Sequence, residues 1–202
     1  HSDEQSILAV QAVDDAIARH GHDPAAQRDW GVVAAPQFLG RVSGANASRR
    51  FLKSGAPGVP PHTKPQHSLH SVSGALSVLL GSRGPNVGVG GGPHALGDAL
   101  LAATSLFEMS EAPACWLVCT AWDPEPLPDR DGNCTNQPTC HAFALALRRT
   151  ATASCCGRLL LSVASRSLVA APDAANATVP RVVEQLVQLG DGRPRALEWS
   201  FG

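Results

Sequence analysis

The chain shows no excess of either charge sign. Its sixteen lysines and arginines stand against seventeen aspartates and glutamates in 202 residues, a formal net charge of -1 at pH 7. Both signs are scattered, so there is no basic stripe of the kind that tracks a phosphate backbone, and nucleic acid is not an expected partner. Long apolar runs are also missing. None approaches the roughly 20 residues that a bilayer-crossing helix needs, and the N-terminus lacks the basic, apolar and small-residue order of a secretory signal. The expectation is a cytoplasmic protein with no membrane partner. Lysine is scarce, two residues against fourteen arginines, while alanine is abundant. That balance is associated with GC-rich bacterial genomes and reflects no physical demand of the fold.

The hydrophobic class makes up 44% of the chain, enough for one compact domain with a sizeable core over residues 1–202. Six cysteines, Cys115, Cys119, Cys134, Cys140, Cys155 and Cys156, need not be staples in a chain that can build such a core. They are expected as reduced thiols. The sequons at Asn46, Asn133 and Asn176 would matter only in a secreted chain.

Along the chain, the segment from Ser2 to Gly21 has Ser2 and Gln5 spaced as a capping box, with Ile7, Val10, Val13 and Ile17 on one helical face. It predicts an amphipathic helix. The apolar run from Trp30, closed by Pro36, predicts a buried strand, followed by a loop and short helix through "VSGANASRRFLKSG". Proline and glycine from Gly55 to Pro65 predict a shaped loop. A largely buried helix is expected from Gln66 to Gly81, a brief strand over Asn86 to Gly90, a helix over Ala95 to Ser110 and a buried strand from Ala114. Strands alternating with helices indicate an α/β layered fold with a mainly parallel sheet. The runs "HAFALAL" from His141 and "GRLLLSVA" from Gly157 are expected as adjacent antiparallel strands. Thr178 and Pro180 open a last helix that Gly190 stops.

Two motifs carry a resemblance. The segment "LGSRGPNV" at Leu80 to Val87 and the turn "DRDG" at Asp129 to Gly132, in this order of elements, resemble the N-terminal half of a β-ketoacyl synthase of the thiolase-like superfamily. The resemblance spans most of Gln5 to Ala164. It implies half of a thiolase-like fold, a layered mixed sheet with helices packed on it, and a family that opens with a strand in the middle of that sheet. It also implies a nucleophilic cysteine at the turn after "GPNV", where a helix N-terminus favours a thiolate. Here the matching turn reads Gly92, Pro93, His94, with Pro93 at the nucleophile position. The family's two catalytic histidines come from its C-terminal half, and none of His62, His67, His70, His94 and His141 falls in those motifs. The chain thus resembles a ketosynthase-like protein of the chain-length-factor kind, with no catalytic residue and no cofactor. The expected function is non-catalytic association in fatty-acid or polyketide-type biosynthesis, as a homodimer or a heterodimer with a ketosynthase, with acyl carrier protein as a further partner.

The same residues also bear on other chemistries. The glycines Gly90, Gly92 and Gly97 lack the spacing of a dinucleotide loop, there is no Walker lysine, and Pro93 removes an N–H donor. Glycines that permit a tight turn, with Pro93 starting a helix, explain the stretch without a ligand. His67, Ser68, His70, Ser71 and Ser73 suggest a hydrolase, but there is no glycine-x-serine-x-glycine elbow and no orienting carboxylate, and the segment reads as a helix opening. Cys134, Cys140, His141, Cys155 and Cys156 match no familiar zinc spacing, so no metal is expected; Cys115 and Cys119, on one strand face, read as small buried thiols. The alternative function is a small-molecule or acyl-processing enzyme that reuses the degenerate pocket, with His94 or His70 in new roles and His67 and His70 as candidate pocket residues.

Overall fold

The computed structural model describes residues 4–21, 24–61, 63, 67–131, 133–150, 155–161 and 178–189. The apolar run after Trp30 forms strand β1, Gly31–Gln37, with six of its seven residues buried. A strand covered on both faces needs no polar alternation, and the segment has none. Strand β3, Ala114–Asp123, follows the same rule with its first eight residues buried. The short β2, Asn86–Gly88, and the longer β4, Thr139–Arg148, complete a four-stranded sheet in the order β2-β1-β3-β4. β1 is parallel to β2 and β3, whereas β3 and β4 are antiparallel.

Helix α1, Glu4–His20, precedes β1, and α2, Arg41–Ser54, follows it. Then come α3, His70–Leu80, and α4, Ala95–Met109, with α5, Val179–Leu189, last. Successive strand residues point to opposite faces, and each face has its own cluster. On one, Val32, Ala34, Trp116 and Val118 pack with Ala9 and Val13 of α1 and Val72 and Leu76 of α3. On the other, Val33, Ala35, Leu117 and Phe143 pack with Leu96 and Leu100 of α4 and Val182 of α5. Helices therefore cover both faces of a mixed sheet, the α/β layering expected from the sequence.

Several expectations are corrected. The run "GRLLLSVA" forms no strand beside β4 over its described residues: Cys155–Leu161 carries no regular structure and is exposed throughout. Its β-branched and leucine content satisfied a strand pattern, but a pattern does not supply a partner. The helix expected from Gln66 starts at His70, and it is less buried than its leucines suggest, because Val78 and Leu79 are exposed. On α1 the inward face carries Gln5, Ser6, Ala9 and Val13 while Ile7 is exposed. The proline-rich loop includes one 3-10 turn, Ala56–Gly58. Ser2, Gly190 and Ser162 to Ala164 lie outside the described residues. β1 and β3 are direct neighbours at the centre of the sheet, paired from Gly31–Cys115 to Gln37–Ala121.

Candidate functional site

β1 and β2 end side by side. The route from β1 to β2 passes through α3 on one face of the sheet, and the route from β2 to β3 passes through α4 on the other. Open α/β sheets place ligands at such a divergence, beyond the carboxyl ends of the strands. Here that region holds the glycine turn. Gly91 N–H donates to Pro36 O at 2.9 Å, and Phe38 N–H donates to Gly91 O at 3.2 Å, so the turn is laced to the end of β1. Phe38 has φ of 61°, a left-handed conformation that a bulky residue takes only when its surroundings impose it. The two hydrogen bonds supply that constraint, and the Arg41 guanidinium lies 5.6 Å from the centre of the Phe38 ring.

The three residues expected at the degenerate nucleophile turn lie together. Gly92 is half-buried, and Pro93 and His94 are exposed. His94 is the N-cap of α4 without a side-chain cap, so Pro93 sits one residue ahead of the cap rather than in the first helical turn. Ala95 N–H is turned back on Gly92 O at 3.2 Å. Proline offers neither a thiol nor an N–H at this point. The turn therefore follows the backbone path of a strand-to-helix junction, with a proline ring at residue 93 and the exposed imidazole of His94 beside it.

His67 and His70 do not line the same depression. His70 is exposed, and its Nδ1 lies 3.2 Å from the hydroxyl of the fully buried Ser73, which also donates to His70 O at 3.2 Å. That serine serves its own helix, as the helix-opening reading expects. His67 instead lines a groove of about 530 Å³ along α2, with Ala47, Phe51, Leu52 and Val59 as apolar walls. Ser48 and Thr63 contribute hydroxyls. A second depression, of about 510 Å³, overlies the polar side of α5 around Thr178, Arg181 and Gln185. Neither His70 nor His94 lines either one.

Among the described residues no three histidine, cysteine or acidic side chains converge as a metal site. Cys115 and Cys119 are buried in β3, and burial pushes the Cys115 thiol up to about 12 and Cys119 higher still. His141, on β4, is paired with Ala121 near the carboxyl end of β3. The "DRDG" turn is closed by Asn133 N–H donating to Asp129 Oδ1 at 2.8 Å. It touches α2 through Arg49, whose guanidinium donates to Asp131 O, and Arg41 pairs with Glu125 at 2.9 Å.

Sequence reasoning missed two features of this end of the sheet. One is the groove wall on α2, for which the apolar pair Phe51 and Leu52 at helical spacing from Ala47 and Ser48 was the available signal. The other is a buried polar chain: Thr120 Oγ1 donates to Gln5 Oε1 at 2.8 Å, and Gln5 Nε2 donates to Gln37 O at 2.8 Å. Gln5 thus makes tertiary contacts, and its expected capping partner Ser2 lies outside the described residues. No protein-family model and no curated protein matches the chain.

Proposed function

We propose that this chain is a ketosynthase-like protein without a nucleophile, acting by association with itself or with an active ketosynthase in fatty-acid or polyketide-type biosynthesis. The observation that carries the reading is Pro93: it stands exposed at a strand-turn-helix junction where a condensing enzyme would present its cysteine. The half-thiolase reading of the α/β sheet rests on the resemblance of "LGSRGPNV" and "DRDG".

Association has physical support at the β2 edge. Val32 N–H donates to Pro85 O at 2.8 Å and Val89 N–H to Ala34 O at 3.0 Å. The even alternation of a parallel ladder then turns the amides of Asn86 and Gly88 away from β1, which leaves an edge able to pair with another chain. Exposed apolar residues also occur on two helices, Val78 of α3 at 84% and Met109 of α4 at 86%. Apolar surface of this kind favours burial against a partner.

Light scattering of the purified chain at several concentrations, alone and mixed with an active ketosynthase, tests the reading. A stable homodimer or mixed complex is expected. A monomer at every concentration, unchanged by the ketosynthase, would remove the reading.

A further inference from the structure

We propose that the adjacent thiols of Cys155 and Cys156 form a reversible thiol–disulfide exchange site for small disulfides of the glutathione type, one thiol forming the mixed disulfide and its neighbour resolving it. The site is independent of the association reading above. The cysteines divide by their place in the fold. Cys115 and Cys119 are buried in β3, whereas Cys155 and Cys156 are both exposed. Exchange begins with attack of a thiolate on a disulfide sulfur, so access decides which thiols take part. An accessible cysteine beside a second one that resolves its mixed disulfide is the arrangement of a redox-responsive site. Cys155 and Cys156 supply both halves in consecutive residues.

The backbone decides how the pair closes. Consecutive Cα atoms across a trans peptide are about 3.8 Å apart, whereas disulfide-linked Cα atoms usually lie about 4.4–6.8 Å apart. A ring between neighbours is therefore strained. Within a helix or strand that strain would fall on a hydrogen-bonded ladder, but Cys155–Leu161 carries no regular structure and is exposed throughout, so the peptide deforms without breaking a ladder. Strain also makes the finished bond easy to reduce, which gives the site its reversibility. The chemistry balances. The thiolate of one cysteine attacks the small disulfide, forms a protein–glutathione S–S bond and releases one glutathione thiolate. The neighbouring thiolate then attacks the protein sulfur of that bond and expels the second glutathione as a thiolate. The two protons lost by the cysteines pass through water to the two glutathione thiolates. One small disulfide is thus reduced to two thiols while two cysteines are oxidised to one disulfide. Cys134 is exposed too, but Asn133 and Thr135 flank it, so no adjacent thiol resolves an adduct there.

Oxidised glutathione is the probe, applied at neutral pH to the reduced full chain. Trypsin cleavage after Arg149 and Arg158 leaves Cys155 and Cys156 as the only cysteines of the peptide from Thr150 to Arg158, so mass spectrometry reads their state directly. The peptide is expected to lose two hydrogens and to carry neither glutathione nor, after iodoacetamide, an alkyl group, while Cys134 accumulates a glutathione adduct. Reduced glutathione in about tenfold excess should reopen the ring and restore both alkylation sites, as an easily reduced bond requires. Cys155→Ser and Cys156→Ser, each at an exposed side chain, should keep the parent circular dichroism and trap on the remaining cysteine the adduct that the parent resolves. The proposal is overturned if Cys155 and Cys156 hold adducts to the same extent as Cys134, or if they bridge two chains into a covalent dimer. It is equally overturned if neither single variant traps glutathione, or if the ring persists in the reducing buffer.

Discussion

Gly90 and Gly91 hold the turn after β2 in a conformation that side chains resist. Their φ values are +88° and +98°, and a Cβ on Gly90 would lie 2.8 Å from the Cβ of Ala95. Gly92 differs: it has no positive φ, and a Cβ there would meet nothing within 4 Å. The three adjacent glycines are therefore not equivalent. Gly90→Ala should destabilise the chain by about 2 kcal/mol or more, combining left-handed strain with a steric overlap. Gly92→Ala should stay within about 0.5 kcal/mol of the parent, as surface changes do. Urea unfolding of the two variants checks both, and equal losses would mean that the turn is not fixed as described. The same geometry gives Pro93 a narrow meaning. It is exposed and ahead of the α4 cap, so its effect is to deny the turn an N–H donor, not to start the helix.

At the scale of elements, α1 is fastened to the sheet by Gln5, which bridges the hydroxyl of Thr120 in β3 and the carbonyl of Gln37 at the end of β1. Gln5 and Thr120 are both almost wholly buried, so removing one partner leaves the other desolvated and unpaired. Gln5→Leu should cost about 2–3 kcal/mol and Thr120→Val about 1–2 kcal/mol. Gln5→Leu combined with Thr120→Val should cost clearly less than the two single losses added together, because no polar group is then stranded between the side chains. A double-mutant cycle measured in urea reads this, and simple additivity would show that the bridge contributes nothing. The sequence could not disclose such a contact, since Gln5 meets a residue 115 positions away, and its spacing from Ser2 suggested a local role. What was legible had a local cause. β1, β3 and α4 followed from continuous apolar runs or helical spacing between glycine and proline stops, and Gly81 caps α3 in a left-handed conformation as its position after the last leucine implied. The glycine turn was legible too, because a junction is written in adjacent residues. The groove at His67 was only half legible: the histidine stood out, but its apolar walls come from α2 and from Val59, and their meeting is tertiary. The strand expected at "GRLLLSVA" failed for a related reason, since strand propensity depends on a neighbour that sequence spacing cannot guarantee.

Among the described residues two apolar clusters are separated by one sheet, and Cys115 and Cys119 report on that arrangement together. Both thiols belong to the cluster that joins β1, β3 and β4 to α4 and α5. Their ionisation requires the sheet to open, because burial raises Cys115 from 9.0 to about 12 and Cys119 further. The folded state holds these protons at a pH where the unfolded chain has released them. Where the unfolded chain binds fewer protons, stability falls with rising pH. The contribution of both groups is therefore complete below about pH 9 and is lost progressively as pH climbs from there through 12, giving an alkaline limb to the stability profile. Cys115→Ala combined with Cys119→Ala should flatten that limb while lowering stability at neutral pH through the lost volume. Alkylation gives the complementary reading at neutral pH. Cys134 and Cys156 are exposed and should be modified by iodoacetamide in the native protein, whereas Cys115 and Cys119 should remain unmodified until urea unfolds the chain, with labelling midpoints that coincide with the loss of helical circular dichroism. Coincidence follows if the two clusters open as one cooperative unit. Labelling of Cys115 or Cys119 well before the helices melt would instead show that the α4 and α5 face of the sheet opens by itself, leaving α1 and α3 on the other face in place.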